Sequence, residues 1–134
     1  MTAIRVLHVD DEPDIREIVE FSLRIDTTLE ARSCCSGEEA LGLASSWNPD
    51  VILLDVMMPV MDGPATLARL KEDALTASIP VIFLTSRARA RDIDRFIALG
   101  AVDVIAKPFD PMTLAAKLRG CMEEFSGLEK AKLD

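Results

Sequence analysis

Consecutive acidic residues follow a short apolar segment near the start of the chain. The stretch "VLHVDDEP", Val6 to Pro13, places Asp10, Asp11 and Glu12 side by side. Ionised carboxylates this close repel one another, so each raises the free-energy cost of ionising the next. A bound cation would remove that cost. The acidic stretch therefore indicates a candidate site for a hard divalent ion such as Mg²⁺, which takes oxygen ligands and usually keeps several waters.

Further polar side chains follow other apolar runs. Asp55 ends the run "VILLD", Thr85 ends "VIFLT", and Lys107 follows the last run in "VIAKP". If these runs are parallel strands, all of these groups meet at the carboxyl edge of the sheet, where open sheets of this kind bind ligands. With a cation in place, Asp55 could attack phosphorus while Lys107 and the Thr85 hydroxyl contact the phosphoryl oxygens. Such an arrangement stabilises the spread-out charge of a transferring phosphoryl group.

The elements that must position these groups alternate along the chain. Five near-continuous apolar runs are each followed by a segment of helical period, which predicts a parallel sheet covered by helices on both faces. The predicted strands are Ile4 to Val9, Leu29 to Cys34, Val51 to Leu54, Val81 to Leu84 and Val102 to Ile105.

Start and stop signals place the helices between the strands. Ser36 and Glu39 form a capping-box pattern, and Asp110 before Pro111 is typical of a helix start. Gly63 with Pro64 opens the third helix, and two glycines are placed where helices end, Gly100 and Gly127. These signals predict one domain over residues 1–126 and a polar C-terminal tail over residues 127–134.

Composition limits the classes of partner. The chain has 134 residues, of which 49% are hydrophobic, and this is typical of one soluble globular domain. A net charge of −8 argues against direct nucleic-acid binding and against anionic membranes. No apolar run approaches the roughly 18 residues that a membrane helix needs. Three cysteines without C-x-x-C spacing, Cys34, Cys35 and Cys121, are interpreted as small core residues, and we expect a cytoplasmic protein.

Four motifs in order along the chain carry a resemblance. They are "VDDE" (Val9 to Glu12), "LLDVMMPVMDG" (Leu53 to Gly63), "FLTS" (Phe83 to Ser86) and "AKPF" (Ala106 to Phe109). Together they resemble the receiver domain of two-component response regulators, of the chemotaxis-regulator type, over residues 4 to about 125. The resemblance implies an α/β fold: a doubly wound, flavodoxin-like (βα)5 domain whose five-stranded parallel sheet has the order 2-1-3-4-5.

The resemblance also implies the roles of the acidic residues. Asp55 would be the phosphoacceptor, and its donor would be a sensor histidine kinase or a histidine phosphotransfer protein. Asp10 and Asp11 would organise Mg²⁺ together with Asp55, and Met57 would supply a backbone carbonyl. Such a protein is a phosphorelay switch that controls a downstream protein. It assists its own magnesium-dependent phosphotransfer and dephosphorylation but is not otherwise an enzyme.

The remaining roles concern the switch. The resemblance implies that Thr85 moves toward the phosphate, that Lys107 pairs with it, and that the Lys107–Pro108 peptide is cis. The chain departs from the family pattern at Val104, where receivers commonly carry an aromatic side chain that swings inward when the threonine moves. We therefore expect Thr85 and the loop after it to carry most of the response.

Other classes of protein fit the same residues less well. A haloacid-dehalogenase-type phosphatase needs D-x-D-x-T after its first strand, whereas this chain has "DDEPD". A constitutive interaction module would be expected to lack Asp55 or Lys107, and both are present. Nucleotide-binding folds would need a glycine-rich phosphate loop, which the sequence does not contain. His8, inside the first predicted strand, is interpreted as a core histidine with satisfied polar atoms.

Overall fold

The computed structural model describes residues 3–133, with side chains described through residue 126. Five strands alternate with five helices along the chain. They are β1 (Ile4–Val9), α1 (Pro13–Arg24), β2 (Leu29–Cys34), α2 (Gly37–Trp47), β3 (Val51–Asp55), α3 (Gly63–Glu72), β4 (Val81–Thr85), α4 (Ala90–Ala98), β5 (Asp103–Ala106) and α5 (Leu114–Leu133).

All five strands form one parallel sheet in the order β2-β1-β3-β4-β5, which confirms the predicted fold. The register brings the carboxyl ends of the strands level, with Asp55 beside Leu84 and Thr85 beside Ala106. Asp10 directly follows β1, the other neighbour of β3. The polar groups predicted to share one edge of the sheet are therefore positioned by the ends of three adjacent strands and by the segment after β5.

The sheet is buried on both faces because β3 and β4 are apolar at every position before their last residue. Along β3, Ile52 and Leu54 belong to one apolar core, while Val51 and Leu53 belong to the other. Residues of α2, α3 and α4 contribute to the first core, and residues of α1 and α5 contribute to the second. This alternation fixes the strand register, since a shift by one residue would move each side chain to the opposite face.

The starts of α2 and α3 follow the predicted signals. The Ser36 hydroxyl accepts a hydrogen bond from the Glu39 N–H at 3.2 Å, which confirms the cap of α2. The Glu39 carboxylate returns to the N–H of Cys35, one residue before the position that a capping box requires. At α3 the Asp62 side chain accepts a hydrogen bond from the Ala65 N–H at 2.8 Å, so that the helix begins at Gly63 as predicted.

The C-terminal part of the chain differs from the prediction at both ends of β5 and at both ends of α5. β5 begins and ends one residue later than predicted. α5 begins at Leu114, because residues 111–113 form a turn in which the Thr113 N–H bonds to the Asp110 carbonyl. The predicted helix end at Gly127 is wrong, since α5 continues to Leu133. One helical glycine costs only about 1 kcal/mol, and the helix formers of "LEKAKL" follow it.

The three cysteines differ in how deeply they are buried. Cys34 is buried as expected, but Cys35 is exposed and Cys121 is half-buried, so the interpretation of all three as core residues is wrong for Cys35. Cys35 follows the end of β2, where the chain turns outward toward α2. Among the helices of residues 3–133, none is both long and apolar enough to cross a membrane.

Val60, in the loop between β3 and α3, has an unfavourable backbone conformation. Its φ of 68° lies in the left-handed region, which a β-branched residue rarely adopts, and its side chain is fully exposed. Left-handed backbone costs roughly 1–2 kcal/mol per ordinary residue, whereas Asn tolerates it. We expect Val60→Asn to raise the free energy of unfolding by about 1 kcal/mol, because no packing is lost.

Urea unfolding monitored by circular dichroism tests this prediction, with a higher midpoint and an unchanged slope as the expected result. Val60→Ala is the matched control, because it removes the exposed valine side chain but keeps the strain of a Cβ. An Ala variant as stable as the Asn variant would contradict the assignment of the effect to backbone strain.

Candidate functional site

Three carboxylates meet beyond the carboxyl ends of β1 and β3. Oxygen atoms of Asp10, Asp11 and Asp55 all lie within 4.8 Å of one another. Asp10 is fully buried, Asp55 is 6% exposed, and Asp11 is partly exposed. The sequence predicted this grouping, and the strand order produces it because β1 and β3 are neighbours.

Lys107 reaches the carboxylates from the segment after β5. Its Nζ donates to Oδ2 of Asp10 at 3.0 Å and to Oδ1 of Asp55 at 3.2 Å. The lysine therefore bridges the two buried carboxylates. The sequence predicted its position at the site but not its contact with Asp10, since the length of a lysine side chain does not determine which nearby acid it contacts.

The electrostatics of the site follow from this crowding. Burial raises the pKa of the Asp55 carboxyl, and the charge of Asp10 raises it further, while Lys107 acts in the opposite direction. Burial alone would lower the pKa of Lys107, but the hydrogen bond to Asp10 and the charges of Asp55 and Asp10 outweigh burial and raise it. The lysine is thus held as a cation, and Asp55 ionises less readily than an ordinary aspartate.

The donor set fits a hard divalent cation. With all groups ionised, three carboxylates oppose one ammonium, so the site carries an excess of negative charge. All the clustered acidic atoms are carboxylate oxygens, which Mg²⁺ prefers over nitrogen or sulfur ligands. A bound cation would neutralise the excess and relieve the repulsion that raises the pKa of Asp55.

Thr85 lies beside this group at the end of β4 and is almost fully buried. Its hydroxyl accepts a hydrogen bond from the Arg87 N–H at 3.0 Å, so the side chain stabilises the loop after the strand. The Thr85 carbonyl in turn accepts a hydrogen bond from the N–H of Lys107 at 2.8 Å. The Lys107–Pro108 peptide is cis, as the resemblance implied.

Two further predicted residues occupy the expected elements. Met57 lies two residues beyond Asp55 in the loop after β3, with its side chain 63% exposed. Val104 lies on β5 opposite Phe83 and packs partly against the first core. Its short side chain lies three residues before Lys107, at the position where the family commonly has an aromatic ring.

Gly63 lies directly against the backbone of Asp55, a contact that the helix-start signal did not predict. Its N–H donates to the Val56 carbonyl at 2.9 Å, which closes the loop that follows Asp55. A Cβ atom built on Gly63 would lie 2.5 Å from the Asp55 carbonyl oxygen and 2.9 Å from the Phe83 ring. Only glycine allows α3 to begin this close to the end of β3.

His8 is buried as predicted, but the expectation that its polar atoms are satisfied is wrong. Neither ring nitrogen has a hydrogen-bond partner, and Nε2 lies 3.9 Å from Oδ2 of Asp10. Burial lowers the pKa of His8 to about 4 against the opposing charge of Asp10. The two residues are separated by one position in the strand direction and therefore point to the same face of the sheet. The sequence predicts this shared face, but it does not predict that the ring nitrogens of His8 have no hydrogen-bond partner.

The fold and the site together define the receiver class of signalling domain. The family model described as the response regulator receiver domain matches residues 6–119. The chain therefore belongs to the receiver domain family of two-component response regulators, whose members are phosphoacceptor switches.

Known relatives agree with this assignment. The chain is 32% identical over 127 residues to the DNA-binding dual master transcriptional regulator RpaA of Synechocystis, an alignment that covers 95% of this chain and 52% of that protein. It is 39% identical over 126 residues to the phosphate regulon transcriptional regulatory protein PhoB of Escherichia coli, with coverages of 92% and 54%. The chain thus spans about half the length of these relatives.

Solved structures show the same architecture. The chemotaxis response regulator CheY4 of Vibrio cholerae superposes with a TM-score of 0.81 at 33% identity, covering 90% of this chain and 99% of that one. A response regulator from Chloroflexus aurantiacus gives a TM-score of 0.81 at 31% identity, with coverages of 91% and 99%. These similarities confirm the predicted family and fold.

Proposed function

We propose that Asp55 accepts the phosphoryl group and that Asp10, Asp11, Thr85 and Lys107 complete the reaction site. The observation that carries this proposal is the lysine bridge between Asp10 and Asp55. It holds a cation beside the acceptor at the edge where ligands of such sheets bind. A structural turn would not require three clustered, buried or half-buried acids, two of them bridged by one lysine.

The transfer uses the carboxylate of Asp55 as nucleophile. Among the side chains described, those of residues 3–126, Lys107 donates to Oδ1 of Asp55, whereas Oδ2 accepts no hydrogen bond. A carboxylate oxygen of Asp55 attacks phosphorus, an O–P bond forms, and the P–N bond of a phosphohistidine breaks, so that the bonding electrons leave with the imidazole. Lys107 and the Thr85 hydroxyl are placed at the same edge to stabilise the charged phosphoryl oxygens.

The metal proposed for this site is Mg²⁺. Asp10, Asp11 and Asp55 would hold it through their carboxylates, with the backbone carbonyl of Met57 as a further ligand. When bound, the ion supplies charge neutralisation for the acceptor and for the transferring group. The donor chemistry and the excess negative charge of the cluster support this assignment.

An apolar groove beside the acceptor supports a protein as the phosphodonor. The groove has a cavity volume of about 390 Å³ and runs between α1 and the segment after β5. Its lining residues are Ile15, Ile18, Ser86, Lys107, Pro108, Phe109 and Pro111. Lys107 lines the groove and also contacts Asp10 and Asp55. A partner bound in the groove would therefore lie next to Asp55. We propose that a sensor histidine kinase or histidine phosphotransfer protein binds this groove.

The output of the switch is proposed to be a protein contact. The net charge of −8 disfavours direct binding of this domain to nucleic acid. The three cysteines are all free, which supports function in a reducing compartment such as the cytoplasm. Val104 on β5 has no aromatic ring that could change position on phosphorylation. The conformational response to phosphorylation is therefore proposed to centre on Thr85 and the loop that its hydroxyl stabilises.

Incubation with acetyl phosphate and Mg²⁺, followed by intact mass spectrometry, tests the proposed function. We expect one added phosphate that requires Mg²⁺ and does not form when excess chelator is present from the start, because the neutralising cation is then absent. Asp94→Asn serves as a control, since Asp94 is exposed on α4 and should leave the reaction unchanged. A protein that takes up no phosphate, or takes it up equally well in chelator, would contradict the proposal.

A further inference from the structure

His8 is a buried polar side chain whose hydrogen-bonding capacity is unused in the structure. It lies on β1 between Ser33 of β2 and Leu53 of β3, and its side chain is 1% exposed. Neither nitrogen has a hydrogen-bond partner. Burying a polar group without a partner is unfavourable, and an apolar side chain of similar size would fit the core better. The presence of histidine therefore calls for a partner in another state of the site.

The nearest acidic atom is Oδ2 of Asp10, 3.9 Å from Nε2. A normal hydrogen bond would require the two atoms to approach by about 1 Å. In the structure that oxygen is already held by Lys107 at 3.0 Å, while Oδ1 of the same carboxylate accepts from the Glu12 N–H at 2.9 Å. Each oxygen of the Asp10 carboxylate thus has a hydrogen-bond donor as long as Lys107 remains bonded to Oδ2. The imidazole of His8 lies next to this carboxylate without a bond to it.

We propose that His8 is a positioning residue for the metal site, whose Nε2–H donates to Oδ2 of Asp10 when the metal and a phosphoryl group occupy the site. This inference rests on the proposed function. Lys107 bridges Asp10 and Asp55 while no other cation neutralises their two negative charges. Once a divalent cation neutralises them and phosphoryl oxygens attract the ammonium, Oδ2 loses its donor. The neutral imidazole has one N–H and lies on the correct side to replace it.

This role explains why a polar ring lies in an apolar core. Carboxylates that bind a metal are themselves usually oriented by an outer hydrogen-bond donor, whose removal costs roughly 10–100-fold in metal affinity. Asp10 lies at the end of a strand, and its carboxylate must keep one orientation to act as a ligand. A donor fixed within β1 provides that orientation without depending on a mobile loop.

Calorimetric titration of Mg²⁺ into the metal-free protein in the presence of beryllium fluoride, a mimic of the phosphoryl group, tests the inference. We expect His8→Leu to weaken Mg²⁺ binding by roughly 10–100-fold. The same variant should have a higher melting temperature without metal, because an unsatisfied buried group is removed. His8→Gln, which keeps an N–H donor at the ε position, should restore most of the affinity. Thr76→Val is the control: it removes a buried hydroxyl bonded to the Leu70 carbonyl at 2.7 Å and should leave the affinity unchanged.

A spectroscopic measurement on the unaltered protein gives a second test that does not depend on how variants fold. The chain has a single histidine, so its ring nitrogen signals need no assignment. Addition of Mg²⁺ with beryllium fluoride, a mimic of the phosphoryl group, should move the Nε2–H proton resonance downfield. An unchanged resonance, or equal Mg²⁺ affinity of His8→Leu and the unaltered protein, would overturn this inference alone. Failure of the unaltered protein to bind Mg²⁺ would overturn both it and the proposed metal site.

Discussion

Replacing Asp55 with Asn is expected to abolish phosphorylation and, at neutral pH, to stabilise the metal-free protein. An amide oxygen is too weak a nucleophile to attack phosphorus, so the loss of phosphorylation should be complete. Stability should rise because Asn removes a buried charge that Asp10 repels. The lost ion pair with Lys107 offsets part of the gain, which leaves a net increase on the order of 1 kcal/mol in the free energy of unfolding.

The pH dependence gives the sign of this effect. Burial and the charge of Asp10 raise the folded-state pKa of Asp55 above 3.8, the ordinary value of an aspartate carboxyl. A carboxyl group with a raised pKa favours folding while it is protonated, and this contribution is lost as pH rises through the folded-state pKa. The advantage of Asp55→Asn should therefore be smallest below pH 4 and grow as pH rises through the folded-state pKa toward neutrality.

Urea unfolding in chelator across this pH range measures the difference. The exposed Asp94 again provides the control, and its Asn variant should stay within about 0.5 kcal/mol of the unaltered protein. If Asp55→Asn were less stable than the unaltered protein at neutral pH, the ion pair with Lys107 would outweigh the repulsion. The electrostatic description of the site would then be incorrect.

Replacing Gly63 with Ala is expected to destabilise the domain by about 1–3 kcal/mol and to slow phosphorylation. The added Cβ would lie 2.5 Å from the Asp55 carbonyl oxygen and 2.9 Å from the Cα of Val56. Both are backbone atoms, so the end of β3 or the start of α3 must move. Because the displaced carbonyl belongs to Asp55, the proposed phosphoacceptor, the carboxylate of that residue should move away from Lys107.

Gly42→Ala is the matched control for this prediction. Gly42 lies in α2, and a Cβ built there has no neighbouring atom within 4 Å. The same substitution at this position should stabilise the protein by roughly 0.5–1 kcal/mol through helix propensity. Opposite signs of the two changes in urea unfolding, with slower acetyl phosphate uptake only for Gly63→Ala, are the expected result. Equal effects at both positions would exclude the close approach at Gly63 as the cause.

Much of the fold and the site follows from local patterns. The runs ending in Asp55 and Thr85 are apolar throughout, which indicates strands buried on both faces. Parallel strands place their carboxyl ends together, so the side chains that follow them are brought to one edge. This geometry explains why the grouping of Asp10, Asp55 and Lys107 could be predicted before any contact was known.

Other features depend on contacts that the sequence does not encode locally. The bridge from Lys107 to Asp10 joins residues 97 positions apart and depends on side-chain conformation. The lack of hydrogen-bond partners for the ring nitrogens of His8 depends on the residues of the neighbouring strands β2 and β3. The continuation of α5 past Gly127 was mispredicted, because a glycine can end a helix or be tolerated within one, and the choice depends on the following residues.

Chemical mapping of the phosphorylated residue tests the central claim most directly. An acyl phosphate is reduced by borohydride to an alcohol, which converts a phosphorylated aspartate to homoserine and leaves other aspartates intact. After treatment with acetyl phosphate and Mg²⁺, reduction and peptide sequencing by mass spectrometry should find homoserine at position 55 and nowhere else. Homoserine at position 10 or 11, or phosphorylated protein with unmodified Asp55, would contradict the assignment of Asp55 as the phosphoacceptor.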